Sequence, residues 1–425
     1  MDLVNWKHVL FGKAARVGIL FVVTGLLIDI CFAAEGTSPT KATRPKVVVT
    51  EEARKLHREC LVFDGHNDLP WSMRIKAASS FQRADIAIEQ DRFHTDIPRL
   101  RAGGVGAVFW SVYIPADTEK GRLASHQLEQ IDLVYRMVKQ YPETFELARS
   151  ADDVVRIRKS GKIASLIGME GGHSIENSLG LLRMYYQLGV RYMTLSHSDT
   201  LDWVDSATDE ARHGGLSPFG EEVVQTMNEL GMLVDISHIS ADAMRHVLKV
   251  SQAPVIASHS SAYTIAPHPR NVPDDVLLKI KENRGVVMVN YYSAYVVPES
   301  VEARIDAFAV ERELQLKFPD PDEFSVAMDA WHDAHPVVPG TIHDVIDHID
   351  HIVQVAGIDH VGLGSDYDGV PIVPDQLDDV ASYPNVTQAL LDRGYQPADI
   401  RKILGENALR VLREAAQVAQ RLRDK

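Results

Sequence analysis

Disulfide-forming cysteines are almost absent from this sequence. Only two of its 425 residues are cysteines, Cys31 and Cys60. Cys31 lies in a segment that we expect to be removed, so Cys60 stands alone and an intrachain disulfide is excluded. The chain must then be stable through its hydrophobic core, and it is long enough to build one.

The sequence also lacks the signatures of several functional classes. No Gly-x-Ser-x-Gly elbow is present, which argues against a serine hydrolase. No convincing Gly-rich phosphate turn follows a strand-like segment, which argues against a nucleotide-binding doubly wound sheet. The formal net charge is −15 and no basic run interrupts the body of the chain, so nucleic acid and anionic membranes are disfavoured as partners.

The longest hydrophobic run, Val17 to Ile28, is shorter than the roughly 20 apolar residues that a spanning helix needs. Basic residues precede this run, and the small residues Ala33 and Ala34 follow it. This order is typical of a secretory signal peptide, here residues 1–34, and predicts an exported protein, periplasmic or secreted. An uncleaved N-terminal anchor is the alternative. Residues 35–50 read as a polar linker before a single catalytic domain, residues 51–425.

Eight short apolar segments, rich in Val, Ile, Met or Leu, have the character of strands buried on both faces. They begin at Cys60, Gly104, Ile163, Gly189, Gly231, Ala253, Gly285 and His360. Segments with helical periodicity lie between them, and several begin at serine and end at glycine. Eight strands alternating with helices predict a (β/α)₈ TIM barrel of the metal-dependent hydrolase type. An open doubly wound sheet is the alternative.

Two segments need separate interpretation. Residues 298–340 are long, charged and partly helical, and we expect an insertion that covers the barrel mouth. The predicted helix from Thr341 carries His343, Asp347, His348 and His351 at spacings that could hold a metal ion. Because this helix precedes the last strand and lies away from the catalytic rim, we expect a solvated face there.

Ionisable residues follow the predicted strands at the ends where barrel enzymes carry their chemistry. These residues are His66 and Asp68, Glu170, His197, His238, His259, and Asp366 and Asp368. His66 and Asp68 are two residues apart, so on an extended chain they point to the same side. Each residue alone has an ordinary structural explanation, but their joint placement at corresponding strand ends predicts a metal site.

The number of candidate ligands indicates two metal ions. His66, Asp68, Glu170, His238 and His259 are too many for one tetrahedral zinc ion. Glu170 lies between the two pairs in chain order and suits a carboxylate that bridges both ions. Two such ions can share a water or hydroxide and polarise a carbonyl. Mixed histidine and carboxylate ligands favour zinc, with manganese or cobalt as alternatives.

Hydrolysis by a metal-bridging hydroxide also needs a group that moves protons. Asp366 is the preferred candidate, because a carboxylate at the rim can take a proton from the water and pass it to the leaving amine. Asp368, two residues further on, is the alternative. His197 could donate a hydrogen bond to the developing oxyanion, or it could be a structural histidine.

Eight segments together resemble the membrane (renal) dipeptidase family, which belongs to the amidohydrolase-type barrels. In the family's order they are "DGHNDLPW", "GMEGGHSIE", "TLSHSD", "GLSPFG", "DISHIS", "PVIASHSSAY", "RNVPDDVL" and "GSDYDG", within about residues 50–412. The resemblance implies a binuclear zinc dipeptidase that acts on free dipeptides, including those with a C-terminal D-residue.

The resemblance also implies roles for individual residues. His66, Asp68 and Glu170 match the ligands of one zinc ion. Glu170, His238 and His259 match those of the other, with Glu170 and a water or hydroxide as bridges.

Three further residues match positions that contact the substrate or the reacting atoms. His197 and Arg270 match substrate-binding positions, and Asp366 matches the catalytic acid/base that also contacts the substrate. A bidentate guanidinium such as that of Arg270 suits the free C-terminal carboxylate of a dipeptide.

The sequence departs from the mammalian members, whose disulfide cysteines and lipid-anchor tail are missing here. The resemblance therefore carries over neither membrane anchoring nor covalent dimerisation, and a homodimer is left open. Two functional alternatives remain beside the dipeptidase. One is a metal-dependent hydrolase of another small amide or a lactone, and the other is a catalytically silent binding protein on the same fold.

Overall fold

The predicted strands form a closed parallel barrel in the computed structural model, which describes residues 44–119 and 121–425. The sheet contains β1 (Val62–Asn67), β2 (Val105–Tyr113), β3 (Phe145–Leu147), β4 (Ile163–Glu170), β5 (Val190–Thr194), β6 (Leu233–Asp235), β7 (Ile256–Ala257), β8 (Val286–Val289) and β9 (Val361–Leu363). Strand β2 pairs with β4 from Ala107–Ala164 to Tyr113–Glu170, and this pairing closes the barrel. The predicted (β/α)₈ fold is confirmed, and each of the eight predicted segments contains one barrel strand.

Strand β3 was not predicted from the sequence. It pairs beside the start of β4, with Phe145 opposite Ile163, and takes no part in the closure. Of its three residues only Phe145 is buried. A strand this short, with two partly exposed positions, lacks the continuous apolar run that identified the others.

Helices precede, separate and follow the strands, and most of them form the outer layer of the barrel. They are α1 (Glu51–Glu59), α2 (Leu69–Ala77), α3 (Ile97–Ala102), α4 (Leu123–Gln140), α5 (Ala151–Lys159), α6 (Leu179–Gln187), α7 (Pro218–Leu230), α8 (Ala241–Val250), α9 (Asp274–Asn283), α10 (Ser293–Val296), α11 (Pro298–Val301), α12 (Ala307–Lys317), α13 (Pro321–Ala334), α14 (Ile342–Val355), α15 (Tyr383–Asp392), α16 (Pro397–Arg401) and α17 (Asn407–Arg423). Short 3₁₀ turns cover Gly172–Ile175, Ile358–His360 and Val380–Ser382, and a π turn covers Lys402–Glu406.

Local sequence explains where several helices begin and end. The hydroxyl oxygens of Ser178, Ser217 and Ser240 accept hydrogen bonds from backbone N–H groups in the first turns of α6, α7 and α8. These contacts satisfy donors that have no partner inside the helix. Helix α7 ends at Gly231, whose φ of 82° lies in the left-handed region that favours glycine.

Aromatic rings fill the barrel interior below the mouth. Phe63 stacks on Phe109 with ring centroids 5.5 Å apart, and Tyr192 packs 4.7 Å from Phe109. Gly168 on β4 makes room for this cluster, because a Cβ atom there would lie 2.1 Å from the Tyr192 ring. The phenol of Tyr192 reaches His66, so the interior packing directly positions one predicted site residue.

Residues 298–340 contain helices α11, α12 and α13. Side chains from this segment line a cavity at the mouth of the barrel; they are Arg304, Ala307, Phe308, Glu311, Met328 and His332. The segment therefore contributes to the shape of the space above the strand ends.

Helix α14 was expected to expose its polar face to solvent, and the structure differs at one residue. His348 is fully buried; its Nδ1 accepts a hydrogen bond from the Ala262 N–H and its Nε2 lies 3.0 Å from the Val296 carbonyl oxygen. The expectation of a solvated face was wrong at this residue. The helical spacing was read correctly, but the spacing alone does not show which face packs on the barrel.

The predicted signal peptide and most of the predicted linker lie outside the described residues. Residues 44–50 contain no helix or strand, and Val47 exchanges backbone hydrogen bonds with the side-chain amide of Gln376. Cys60 is a buried free thiol. None of the helices in the described part of the chain has both the length and the apolar character needed to cross a membrane.

Substitution of Gly168 by alanine should destabilise the protein by about 1–3 kcal/mol, because the added methyl group overpacks the interior against Tyr192. Urea unfolding measures this change. Gly180→Ala, at an exposed position of α6, is the control and should change the unfolding free energy by no more than about 0.5 kcal/mol. Equal effects of the two substitutions would contradict the packing argument.

Candidate active site

Ionisable side chains from different strands converge at the C-terminal mouth of the barrel. His66 lies near the end of β1, Glu170 is the last residue of β4, and His238 and His259 follow β6 and β7. Asp68 follows β1 directly. All five residues are at most 4% exposed. The structure thus brings together every residue that the sequence predicted as a metal ligand.

The Glu170 carboxylate is at the centre of this cluster. Its Oε2 lies 3.4 Å from His66 Nε2, which in turn lies 3.1 Å from Asp68 Oδ2. Its Oε1 lies 3.0 Å from His238 Nε2 and 3.4 Å from His259 Nε2. The two oxygens of one carboxylate therefore face two different groups of donors.

This donor set fits a divalent cation. The Nε2 atoms of His238 and His259 are 2.9 Å apart, so without a cation one imidazole must donate a proton to the other. His66 Nε2 is buried, and its close contacts with the Asp68 and Glu170 carboxylates do not have hydrogen-bond geometry in the described structure. Converging imidazole nitrogens and carboxylate oxygens are the ligands of zinc sites.

The protonation states of Glu170, His238 and His259 suit metal binding. At His66, in contrast, burial is outweighed by the neighbouring acidic groups, which raise the pKa of the imidazole, so that a cation would displace a proton there. Burial acts to raise the pKa of Glu170, but the surrounding imidazoles, His66 first, outweigh it and hold the pKa well below the usual range. Burial lowers the pKa of His238 and His259. An ionised carboxylate and neutral imidazoles are the forms in which these side chains bind cations.

A second layer of side chains orients two of the imidazoles. Tyr192 Oη lies 2.8 Å from His66 Nδ1, and Ser258 Oγ lies 2.8 Å from His259 Nδ1. The Ser258 hydroxyl donates to Asp235 Oδ2 over 2.6 Å. A hydrogen bond at Nδ1 leaves the Nε2 lone pair free to face the centre of the cluster.

Sequence analysis did not identify these supporting residues. Asp235 lies three residues before His238, and Ser258 lies immediately before His259. Their proximity to predicted ligands was a usable signal. Tyr192 carried no comparable signal, because its partner is 126 positions away in the chain.

Asp366 and Asp368 occupy different surroundings. Asp366 groups with His66 and Asp68. Asp368 faces away toward His94, whose backbone N–H donates to its Oδ1 over 2.9 Å. The geometry therefore favours Asp366, the residue preferred from the sequence, as the carboxylate next to the cluster.

The carboxyl group of Asp366 is held in an unusual electrostatic environment. Burial, reinforced by the negative charges of Asp68 and Glu170, raises the pKa of Asp366 to about 7. Asn290 donates to its Oδ2 over 2.7 Å. Asn290 was missed from the sequence although it directly follows β8, where a rim position would be expected. A carboxyl group with a pKa near neutrality can both accept and release a proton.

His197 and Arg270 lie beside the cluster. His197 Nε2 is 3.9 Å from Glu170 Oε1, and its ring centroid is 4.2 Å from that of His238. His197 is thus near enough to be a ligand candidate as well as a substrate contact. Arg270 is 1% exposed, and its Nη atoms reach Ser260 Oγ and the His259 carbonyl oxygen, each over 3.3 Å.

A cavity of about 370 Å³ opens above the cluster. Carboxylates and imidazoles form its floor, and aromatic side chains with two arginines form its walls. The wall residues outside residues 298–340 include Trp71, Tyr113, Arg270, Tyr292, Tyr295 and Pro371. This volume suits a small polar molecule.

Three comparisons relate the whole chain to known proteins. The family model "Membrane dipeptidase (Peptidase family M19)" matches residues 50–425. The chain is 43% identical over 373 residues to the dipeptidase tcpJ of Claviceps purpurea (strain 20.1), covering 84% of this chain and 77% of that protein.

Solved structures share the architecture. The probable dipeptidase PvdM from Pseudomonas aeruginosa is 26% identical, with a TM-score of 0.74 over 87% of this chain and 99% of that one. A metallo peptidase from Rhodobacter sphaeroides, liganded with a phosphinate mimic of the dipeptide L-Ala-D-Ala, shares the fold at 24% identity. Its TM-score is 0.68, and the match covers 84% of this chain and 99% of that one.

The Asp235–Ser258–His259 chain of hydrogen bonds predicts a change in metal affinity. Asp235→Asn should weaken binding by about 10- to 100-fold, because Ser258 loses the acceptor that orients it toward His259. Competition with a chromophoric chelator measures the affinity. Thr194→Val is the matched control, since it removes another donor to Asp235 and leaves the hydrogen bond between Ser258 and His259 in place. An unchanged affinity in Asp235→Asn would contradict the orienting role.

Proposed function

The chain belongs to the membrane dipeptidase family, peptidase family M19, and is a metallo-dipeptidase; on that premise we propose that it hydrolyses free dipeptides with two zinc ions. We include among its substrates dipeptides that end in a D-residue. The phosphinate mimic bound by the Rhodobacter sphaeroides structure makes L-Ala-D-Ala a suitable first test peptide.

The arrangement around Glu170 is the observation that carries the proposal. One carboxylate oxygen faces His66, and the other faces His238 and His259. This arrangement supports a carboxylate that bridges two cations, with Asp68 completing the first group. When bound, the two ions would polarise the scissile carbonyl and lower the pKa of a water molecule.

The chain's own residues would orient the substrate. Arg270 is buried at the cavity wall, and its Nε has no hydrogen-bond partner among the described residues, so it can receive the free C-terminal carboxylate. Burial, followed by the nearby Arg270 charge, lowers the pKa of His197, although Glu170 opposes this shift. A neutral His197 still carries one N–H group that can donate to the developing oxyanion.

Asp366 would move the proton. Its carboxylate accepts a proton from the attacking water and returns it to the amine as the peptide bond breaks. Asn290 fixes the carboxylate through Oδ2, and the backbone N–H of Asp366 donates to the His66 carbonyl oxygen over 3.1 Å. These two contacts would keep the acid/base next to the metal ligands throughout the reaction.

A panel of peptides with and without a chelator tests the proposed activity. Zinc-loaded protein should hydrolyse L,L and L,D dipeptides such as L-Ala-D-Ala, lose this activity in chelator, and recover it when zinc is restored. N-acetyl amino acids and lactones test the alternative hydrolase activities and should react much more slowly. Absence of bound zinc and of turnover after reconstitution would instead support a silent binding protein.

Asp366→Asn should lower kcat by about 10²- to 10⁴-fold, because the amide cannot accept or return the proton. Zinc content should change little, since Asp366 is not among the proposed metal ligands, and the loss should fall on kcat more than on KM. Steady-state kinetics with metal analysis measures all three quantities. Asp368→Asn is the matched control from the same loop, and a larger loss of kcat in that variant would reverse the assignment.

A further inference from the structure

Arg304 is a buried cation on the wall of the active-site cavity. It lies in the turn between α11 and α12, within the segment 298–340 that lines the cavity at the barrel mouth. Only 7% of the residue is exposed. The mechanism proposed above gives this side chain no role.

The contacts of Arg304 are all with neutral groups. Its Nη1 donates to the Ala303 carbonyl oxygen over 3.0 Å and to that of His335. Its guanidinium lies 5.0 Å from the centre of the Trp331 ring, and it hydrogen bonds with the Tyr292 phenol. No carboxylate within the described ranges forms an ion pair with it. A buried charge without a counter-ion is unfavourable, and a bound anion would relieve it.

Purely structural arginines also occur in this chain. Arg191 is 7% exposed, donates to the carbonyl oxygens of Arg149, Tyr186 and Val190, and stacks on the Tyr186 ring. Arg304 resembles it in having carbonyl and aromatic partners. The difference is that Arg304 lines the cavity that also contains Arg270 and Asp366.

The position of Arg304 relative to Arg270 indicates what it contacts. Tyr292 and Tyr295 pack edge to face, with ring centroids 4.8 Å apart. Arg270 lies over the Tyr295 ring at 5.3 Å, and Arg304 hydrogen bonds with Tyr292. The two guanidinium groups are therefore associated with the two rings of one tyrosine pair. Both arginines line the same cavity, so a C-terminal residue whose carboxylate binds Arg270 would have its side chain in the space that Arg304 also lines.

We propose that Arg304 selects dipeptides whose C-terminal residue carries a side-chain carboxylate, aspartate or glutamate. The inference rests on the proposed dipeptidase function and names the substrate class within it. Arg270 receives the main-chain carboxylate, and Arg304 receives the side-chain carboxylate. Charge-assisted hydrogen bonds of this kind discriminate strongly against the neutral amide of the same shape.

Matched substrates test the selection. With zinc-loaded wild-type protein, kcat/KM for Gly-Asp should exceed that for Gly-Asn by roughly 10- to 100-fold, with L- and D-aspartate peptides measured separately. In Arg304→Gln the ratio should fall to near 1, mainly through KM, while hydrolysis of Gly-Asn is retained. Arg304→Lys keeps the charge and should retain part of the preference. Arg270→Gln should lower kcat/KM for both substrates by the same factor.

Inhibition by free amino acids, the products of hydrolysis, gives a second measurement that does not depend on turnover of Gly-Asp or Gly-Asn. Free aspartate should inhibit hydrolysis of Gly-Ala by the wild type more strongly than asparagine does, and Arg304→Gln should remove the difference.

The outcomes separate this inference from the proposed function. If the wild type hydrolyses all the dipeptides but its kcat/KM for Gly-Asp equals that for Gly-Asn, the role of Arg304 is overturned and the dipeptidase activity stands. Equal losses on Gly-Asp and Gly-Asn in Arg304→Gln also overturn it and indicate a structural arginine like Arg191. No turnover of any dipeptide by zinc-loaded wild type contradicts the proposed function itself. If Arg304→Gln does not fold, the wild-type ratio and the product inhibition still decide.

Discussion

The buried Glu170 carboxylate is the constraint on which the rest of the site depends. A carboxylate out of contact with water is stable only with cations or strong donors around it, and here imidazoles approach both of its oxygens. Each imidazole comes from a different strand end, so this arrangement exists only if the barrel closes with the observed register. The same side chains therefore determine both the stability of the fold at the mouth and the binding of cations.

The barrel gives this centre its rigidity, and the loops supply what surrounds the substrate. His66 is held from inside the barrel by Tyr192, and His259 is held by Ser258 and Asp235. These partners lie on or next to strands, where backbone hydrogen bonds limit movement. Arg304, in contrast, comes from the segment over the mouth. The separation allows the substrate pocket to vary without disturbing the ligand geometry.

The strands and ligand candidates that were predicted correctly are those whose burial or position along a strand follows a simple rule. The eight barrel strands were found because strands covered on both faces require continuous apolar runs. The ligand candidates were found because parallel strands in a barrel end at the same rim. Strand β3 was missed because only one of its three residues is buried, and the polarity of His348 was misjudged because helical spacing does not identify the packed face.

The sequence by itself determined the barrel and the residue types that follow each strand at its mouth. Both can be read from the periodicity and composition of segments about ten residues long. Only the tertiary structure decided which atoms meet. Barrel closure and register bring Asn290 to Asp366 and Tyr192 to His66. They also place the buried charge of Arg304 on the cavity wall, without a carboxylate partner in the described chain. These contacts join residues far apart in the chain, and no local pattern encodes them.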